Sequence, residues 1–267
     1  MTNITLGQYL PGTSPLHRMD PRTKLCSLFI FIIALFMAKG PASYGLCFLF
    51  VALAAILSQV KIKLILRSLR AIIVIVLFTA ALNLLYTPGE AIFSVWIFTV
   101  TREGARIACA MAVRIILLVA ASSLLTFTTS PMSLTDGLET LLSPLKKIKV
   151  PVHEFAMMMT IALRFIPTLS DETNKIMSAQ KARGADLESG GLIKRAKALI
   201  PILVPLFVSS FRRADELATA MECRLYRGGE GRTRLHELKY GKVDAAGYAV
   251  TVIVSAGVIA LARVFGL

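Results

Sequence analysis

The 267-residue chain is 55% hydrophobic with a mean hydropathy of +0.69, too apolar for a soluble domain and long enough for several membrane spans. Its formal charge of +14 flanks apolar segments instead of alternating with aromatics in a basic domain, which argues against nucleic acid as a partner. Cys26, Cys47, Cys109 and Cys223 form no CxxC pair, so neither a disulfide framework nor a zinc site is indicated.

Residues 1–24 are polar, and their bases Arg18, Arg22 and Lys24 follow Pro11, Gly12 and Pro15. A cleaved signal peptide begins with its charges and ends on a small-residue site, so this leader reads as a retained cytoplasmic arm. Leu25 to Ala38 reaches spanning length if Lys24 and Lys39 snorkel at its ends. Gly40 to Val60 is an uncharged second span, and Ala71 to Pro88 a third, after the basic connection of Lys61, Lys63, Arg67 and Arg70. Thr87 to Arg106 reads as a loop whose apolar Ala91 to Val100 section lies at the interface with Trp96 as its anchor. Ile107 to Phe127 is a fourth span and Ala245 to Ala262 the last.

Arg114 interrupts the fourth span, where snorkelling and a structural hydrogen bond explain it equally well. Nearby, Gly104, Ala108 and Ala112 recur every four residues and would let another helix approach closely. Basic residues concentrate in the arm and the second connection, so the positive-inside rule places the N-terminus and Thr128 to Lys242 in the cytoplasm and the C-terminus outside. The expected fold is an all-α polytopic membrane protein with about five transmembrane helices. Its parts are residues 1–127 (arm and four spans), 128–242 (a cytoplasmic domain of long crossing helices) and 243–267 (the last span).

That insert holds eighteen of the thirty Lys and Arg residues and twelve of the sixteen acids, a mixture suited to solvated helices. Its prolines divide it into a short helix near Leu134 to Leu142 and two long ones, Val152 to Glu188 and Leu192 to about Tyr226. Phe155 to Leu169 has Arg164 as its only charge, so membrane interface, other helices or a partner must cover it. Met157, Met158 and Met159 suit either core filling or a surface that accepts different shapes.

The two long segments end alike. Arg183 follows Ile176 by seven residues and Ala179 by four, and Arg224 follows Leu217 and Ala220 at the same spacings. Each arginine therefore caps a stripe of small residues on its own helical face, before the glycine pairs Gly190-Gly191 and Gly228-Gly229, which are expected to stop the helices. Complementing the helix dipole explains one such arginine; two at the same spacing in one domain weaken that explanation. No catalytic constellation is evident: His17, His153 and His236 are scattered, and Gly228 to Thr233 lacks the first glycine and the lysine of a phosphate loop. Asp171, Glu172 and His153 read as helix-start and solvated residues.

The run Leu16 to Leu25, Thr128-Thr129-Ser130-Pro131, Pro151-Val152-His153-Glu154, Ala162 to Leu169 and Ala182-Arg183-Gly184 together resemble the transmembrane T component of energy-coupling factor transporters. The resemblance implies two cytoplasmic coupling helices, each ending in an Ala-Arg-Gly motif that docks on an ATP-binding-cassette ATPase. A separate substrate-binding S component in the membrane completes such a transporter. Ala182, Arg183 and Gly184 match the first motif; Cys223, Arg224 and Leu225 stand at the second, where leucine replaces a glycine able to take positive φ. The resemblance also implies that ATP and magnesium belong to the partner ATPases, that this chain needs no cofactor of its own, and that cargo selectivity lies in the S component. Met157, Met158, Met159, Phe165 and Ile166 would face that component. A conventional permease subunit binding its own substrate would require convergent polar groups inside the spans, where only Arg114 and Asn83 stand out. A membrane-embedded enzyme would require paired acids or histidines at the cytoplasmic rim.

Overall fold

Two serine- or aspartate-proline steps begin the architecture. Ser14 accepts the His17 N–H and Asp20 the Arg22 N–H, with Pro15 and Pro21 at the first helical positions, so the arm breaks into α1 (Pro15–Arg18) and α2 (Pro21–Met37). The computed structural model describes residues 9–88, 91–95, 98–185, 191–228 and 238–265. The chain divides into two compact units, residues 7–140 with 237–267 and residues 1–6 with 141–236.

In the first unit, α2 is followed by α3 (Gly40–Ser58), α4 (Ile62–Tyr86), α5 (Arg102–Thr128), α6 (Pro131–Leu142) and, after the second unit, α9 (Lys242–Phe265). α4 packs on α5, while α2 lies against α9 and α5. Among the described residues, four helices, α3, α4, α5 and α9, are long and apolar enough to cross a membrane. The shorter α2, at 17 residues, holds the centre: Phe31, Ala34 and Leu35 are buried with Cys47 and Val51 of α3, Leu117, Ala120, Leu124 and Phe127 of α5, and Val258 of α9. The Phe31 and Phe50 rings meet at 5.1 Å between centroids. Outward-facing Ile73, Val74, Leu77 and Phe78 of α4 give that helix an apolar exterior suited to lipid.

Three expectations for this unit change. Lys24 does not snorkel: it is buried, and its ammonium donates to the Thr128 carbonyl at 2.9 Å and the Thr129 hydroxyl at 3.1 Å, satisfying the carbonyl end of α5. α4 begins nine residues before the expected third span, because Lys63, Arg67 and Arg70 are good helix formers that extend it beyond its apolar stretch. The section expected to be a plain interfacial loop forms an antiparallel hairpin of β1 (Ala91–Val95) and β2 (Phe98–Thr101), where β-branched and aromatic residues favour strand; Trp96 lies outside the described residues. Thr101 then links hairpin to helix, accepting the Gly104 N–H and donating to the Thr87 carbonyl.

The small-residue stripe performs as expected. A methyl group built on Gly104 would meet the Thr101 hydroxyl at 2.8 Å and the Asn83 carbonyl at 3.0 Å, so the α4 backbone approaches α5 there as only glycine permits. Arg114 makes a structural hydrogen bond, donating to the Tyr44 hydroxyl at 2.9 Å, and Asn83 donates to Thr79 one turn back on its own helix.

The second unit comprises a 3₁₀ turn (Ser143–Ile148), α7 (Val152–Ala182) and α8 (Leu192–Cys223), with Pro167 inside α7 and Pro201 and Pro205 inside α8. Gly191 is the extended residue before α8; Ser189 and Gly190 lie outside the described residues.

Candidate functional site

The two arginines singled out by spacing occupy equivalent backbone positions. Ala182 is the last residue of α7 and Arg183 its cap; Cys223 is the last residue of α8 and Arg224 its cap. Beyond Arg183, the Gly184 N–H donates to the Lys181 carbonyl and the Ala185 N–H to that of Gln180, both at 3.0 Å. Beyond Arg224, the Leu225 N–H donates to the Glu222 carbonyl at 2.8 Å and the Tyr226 N–H to that of Met221 at 3.0 Å. This crossed pair is the Schellman closure of a helix, which needs a left-handed residue just past the cap.

Gly184 supplies it with φ 83° and Leu225 with φ 55°. Leucine was not expected to take this conformation, which costs an L-residue about 1–2 kcal/mol. It does so here because two closing hydrogen bonds hold it and its side chain points outward, 76% exposed. The second ending thus keeps the backbone shape of the first despite departing from Ala-Arg-Gly. The same closure corrects the expected stopping points. α7 ends at Ala182, not Glu188, and α8 at Cys223, not near Tyr226, because Gly184 and Leu225 turn the chain ahead of the glycine pairs.

Arg183, Arg224, Ala182 and Cys223 are exposed, and neither guanidinium has a hydrogen-bond or ionic partner among the described residues. Ile176 and Leu217, seven residues back, are each half-buried, and Ala179 and Ala220 are each exposed. Each tip therefore offers a free planar cation beside small side chains, with a polar fork suited to a carboxylate or to the carbonyls of a partner helix.

One contact sets the arms of this pair. Glu172 of α7 accepts from Ser209 of α8 at 2.9 Å and from the Arg213 guanidinium at 2.7 Å, while Gln180 donates to the Pro201 carbonyl at 3.4 Å. As α7 advances from 172 to 180, its partner position on α8 retreats, so the helices run antiparallel through the contact. Arg183 lies eleven residues past Glu172 and Arg224 eleven past Arg213. At 1.5 Å per residue each tip stands about 16 Å from the contact, in opposite directions. The Arg213 and Ser209 donors hold the Glu172 carboxyl below its ordinary value. Sequence reasoning placed Glu172 among solvated residues; the available signal was an acid and a base each set eleven positions before a tip arginine.

Of the residues expected to face another membrane component, Met158 and Met159 are about half exposed and Ile166 is 41% exposed, while Met157 and Phe165 are partly buried. On α8, Leu203, Val204, Phe207, Val208 and Phe211 are exposed, an apolar surface that a solvated helix rarely carries.

A second polar cluster, within the first unit, involves the run Leu16 to Leu25. Asp20 receives three hydrogen bonds from Arg22, its N–H donates to Asp244 at the start of α9, and Arg22 also donates to the Leu238 carbonyl and lies 4.2 Å from the Tyr240 ring centre. Burial pushes the Asp20 carboxyl up, but the Arg22 side-chain and backbone donors outweigh it and hold the group below its ordinary value. Together with Lys24 on Thr128, these bonds gather the ends of α2, α5 and α9 where the chain leaves and re-enters this unit.

Residues 12–235 match a family model described as cobalt transport protein (CbiQ). The chain is 57% identical to an energy-coupling factor transporter transmembrane protein EcfT of Acidaminococcus fermentans, over 92% of this chain and 91% of that protein. It is 51% identical to the protein of the same description in Ruminiclostridium cellulolyticum, over 98% of each chain, and 48% identical to that of Lactococcus lactis, over 92% of each.

Proposed function

This chain belongs to the family of energy-coupling factor transporter transmembrane proteins, and from that premise we propose that it carries ATP-driven motion from two ATPase subunits to a separate substrate-binding membrane protein. The observation that carries this reading is the pair of identically closed helix ends, each presenting a free arginine, on antiparallel helices joined by the Glu172–Arg213 contact. A span of about 33 Å between tips suits two partner subunits, one at each end, better than a single groove. Closure of those subunits would rotate the helix pair about its contact, and the exposed apolar residues of α7 and α8 would pass the tilt to a substrate-binding component.

On this reading the chain is non-catalytic, ATP and magnesium are held by the ATPases, and the cargo is a vitamin or other micronutrient chosen by the substrate-binding component. The N-terminus and the tips are cytoplasmic and the C-terminus is outside. Asn83 bonds to the Thr79 carbonyl on its own helix and Arg114 to the Tyr44 hydroxyl, which supports coupling over an independent permease that would need convergent polar groups inside the spans.

Co-expression with the two ATPases tests the assignment. Arg183→Glu and Arg224→Glu are each expected to lower ATPase retention on the purified complex, and the double change to abolish retention and uptake while membrane insertion persists. Full retention and uptake in the double variant would remove the coupling role.

A further inference from the structure

At the end of the first unit that carries the arm, a groove of about 1000 Å³ opens between residues 10–14 and the turn joining α3 to α4. Its walls include Lys61, Lys63, Arg67 and Arg70, and among the described residues no acidic one lines it. All four cations are exposed, and none has an ionic partner among the described residues. The first turn of α4 contributes to the wall and lacks a side-chain cap at Lys61, so its free N–H groups and the positive end of a 25-residue helix add to the potential. Leu10, Val60, Leu64 and Leu66 add an apolar part to the lining, and Thr13, Ser58 and Gln59 are among its neutral polar groups.

The arm forms a fixed wall of this groove. The Leu10 N–H donates to the Phe127 carbonyl at 3.0 Å, and the His17 ring joins the Ser14 hydroxyl at 2.7 Å to the Leu10 carbonyl at 2.9 Å. A preformed concavity that is cationic, acid-free and partly apolar, at the end of a membrane helix pair, matches an amphiphile with an anionic head.

We propose that this groove binds the phosphate headgroup of an anionic phospholipid, with the glycerol and upper acyl carbons against Leu64 and Leu66. A bound lipid would neutralise the α3–α4 turn and fix the arm against the helices it bridges. Placement in the cytoplasmic leaflet rests on the orientation proposed above; binding itself does not.

The test uses the delipidated full chain in detergent, titrated with dioleoyl phosphatidylglycerol, with dioleoyl phosphatidylcholine and with glycerol 3-phosphate. Each cation near an anionic head contributes about fivefold in affinity, so K61Q/K63Q/R67Q/R70Q should weaken phosphatidylglycerol binding by several hundredfold and R67Q/R70Q by about 25-fold. R67K/R70K should retain it, as should K39Q/R106Q at the other end of the unit. Equal binding of phosphatidylcholine, unchanged binding in R67Q/R70Q, or an equal loss in K39Q/R106Q would overturn the site. Glycerol 3-phosphate binding as tightly as the lipid would overturn the lipid assignment in favour of a soluble phosphate. If the quadruple variant does not fold, the two double variants at 67 and 70 decide. Labelling of Gln59→Cys from one side of sealed membranes reads orientation separately, so an outward result moves the leaflet and leaves the groove's chemistry standing.

Discussion

Exchanging glycine and leucine between the ends of α7 and α8 isolates the backbone shape that makes them alike. Leu225 at φ 55° stores about 1–2 kcal/mol of left-handed strain, and glycine there would release it while losing roughly 0.5–1 kcal/mol to the greater freedom of the unfolded chain. Leu225→Gly should therefore stabilise the end of α8 by about 0.5 kcal/mol. At Gly184 a new Cβ meets nothing within 4 Å, so Gly184→Leu carries the same backbone terms with the opposite sign and no clash at Cβ. Leu225→Val is the severe case, because a β-branched residue tolerates positive φ least, and it should cost at least 1 kcal/mol more. Amide hydrogen exchange of residues 184–185 and 225–226, corrected for intrinsic rates, reads each closure locally. The expected changes are roughly twofold slower at the second tip in Leu225→Gly, roughly twofold faster at the first in Gly184→Leu, and at least fivefold faster at the second in Leu225→Val. Unchanged exchange in Leu225→Val would show that residue 225 is not held left-handed. Loss of ATPase retention in Leu225→Gly would show that the leucine side chain itself makes the contact.

Gly104→Ala places a methyl group against the Asn83 and Leu84 carbonyls, which cannot rotate away, so thermal unfolding of the purified chain should register about 1–3 kcal/mol of destabilisation, against little for Gly45→Ala, whose Cβ meets nothing. Glu172→Gln removes the charge from the α7–α8 contact and should lower uptake without lowering ATPase retention; retention falling equally would mean that the contact only holds the fold. Because Arg213 and Ser209 depress the Glu172 carboxyl, the stabilisation it contributes is present above its unfolded value near pH 4.3 and lost as pH falls through the lower folded value. The distance between spin labels near the tips should then be constant from pH 5 to 8 and broaden only under stronger acid. Asp20→Ala deletes the α2 cap and the Arg22 partner together, and should lower stability by about 2–4 kcal/mol in thermal unfolding; a loss under 1 kcal/mol would contradict the anchoring role of that cluster.

Apolar run length and glycine or proline punctuation made the helices legible, and the four-residue spacing of Gly104, Ala108 and Ala112 marked the close helix pair. The tip arginines were legible through repetition at fixed distances. Less legible was whatever depended on tertiary partners. Lys24 reads as a snorkelling cation until α5 brings the Thr128 carbonyl beside it, and Glu172 reads as solvated until α8 supplies Arg213. The end of α8 was hidden for a different reason: glycine is the ordinary signal for a left-handed closure, and here the flanking hydrogen bonds impose that conformation on leucine.

The most direct test of the lever is where its tips make contact in the assembled transporter. A photo-crosslinking residue placed at Ala182 and, separately, at Cys223 should capture an ATPase subunit in each case, with yields that change between nucleotide-free and ATP-bound states. Crosslinks confined to lipid or to the chain itself at both positions would contradict it.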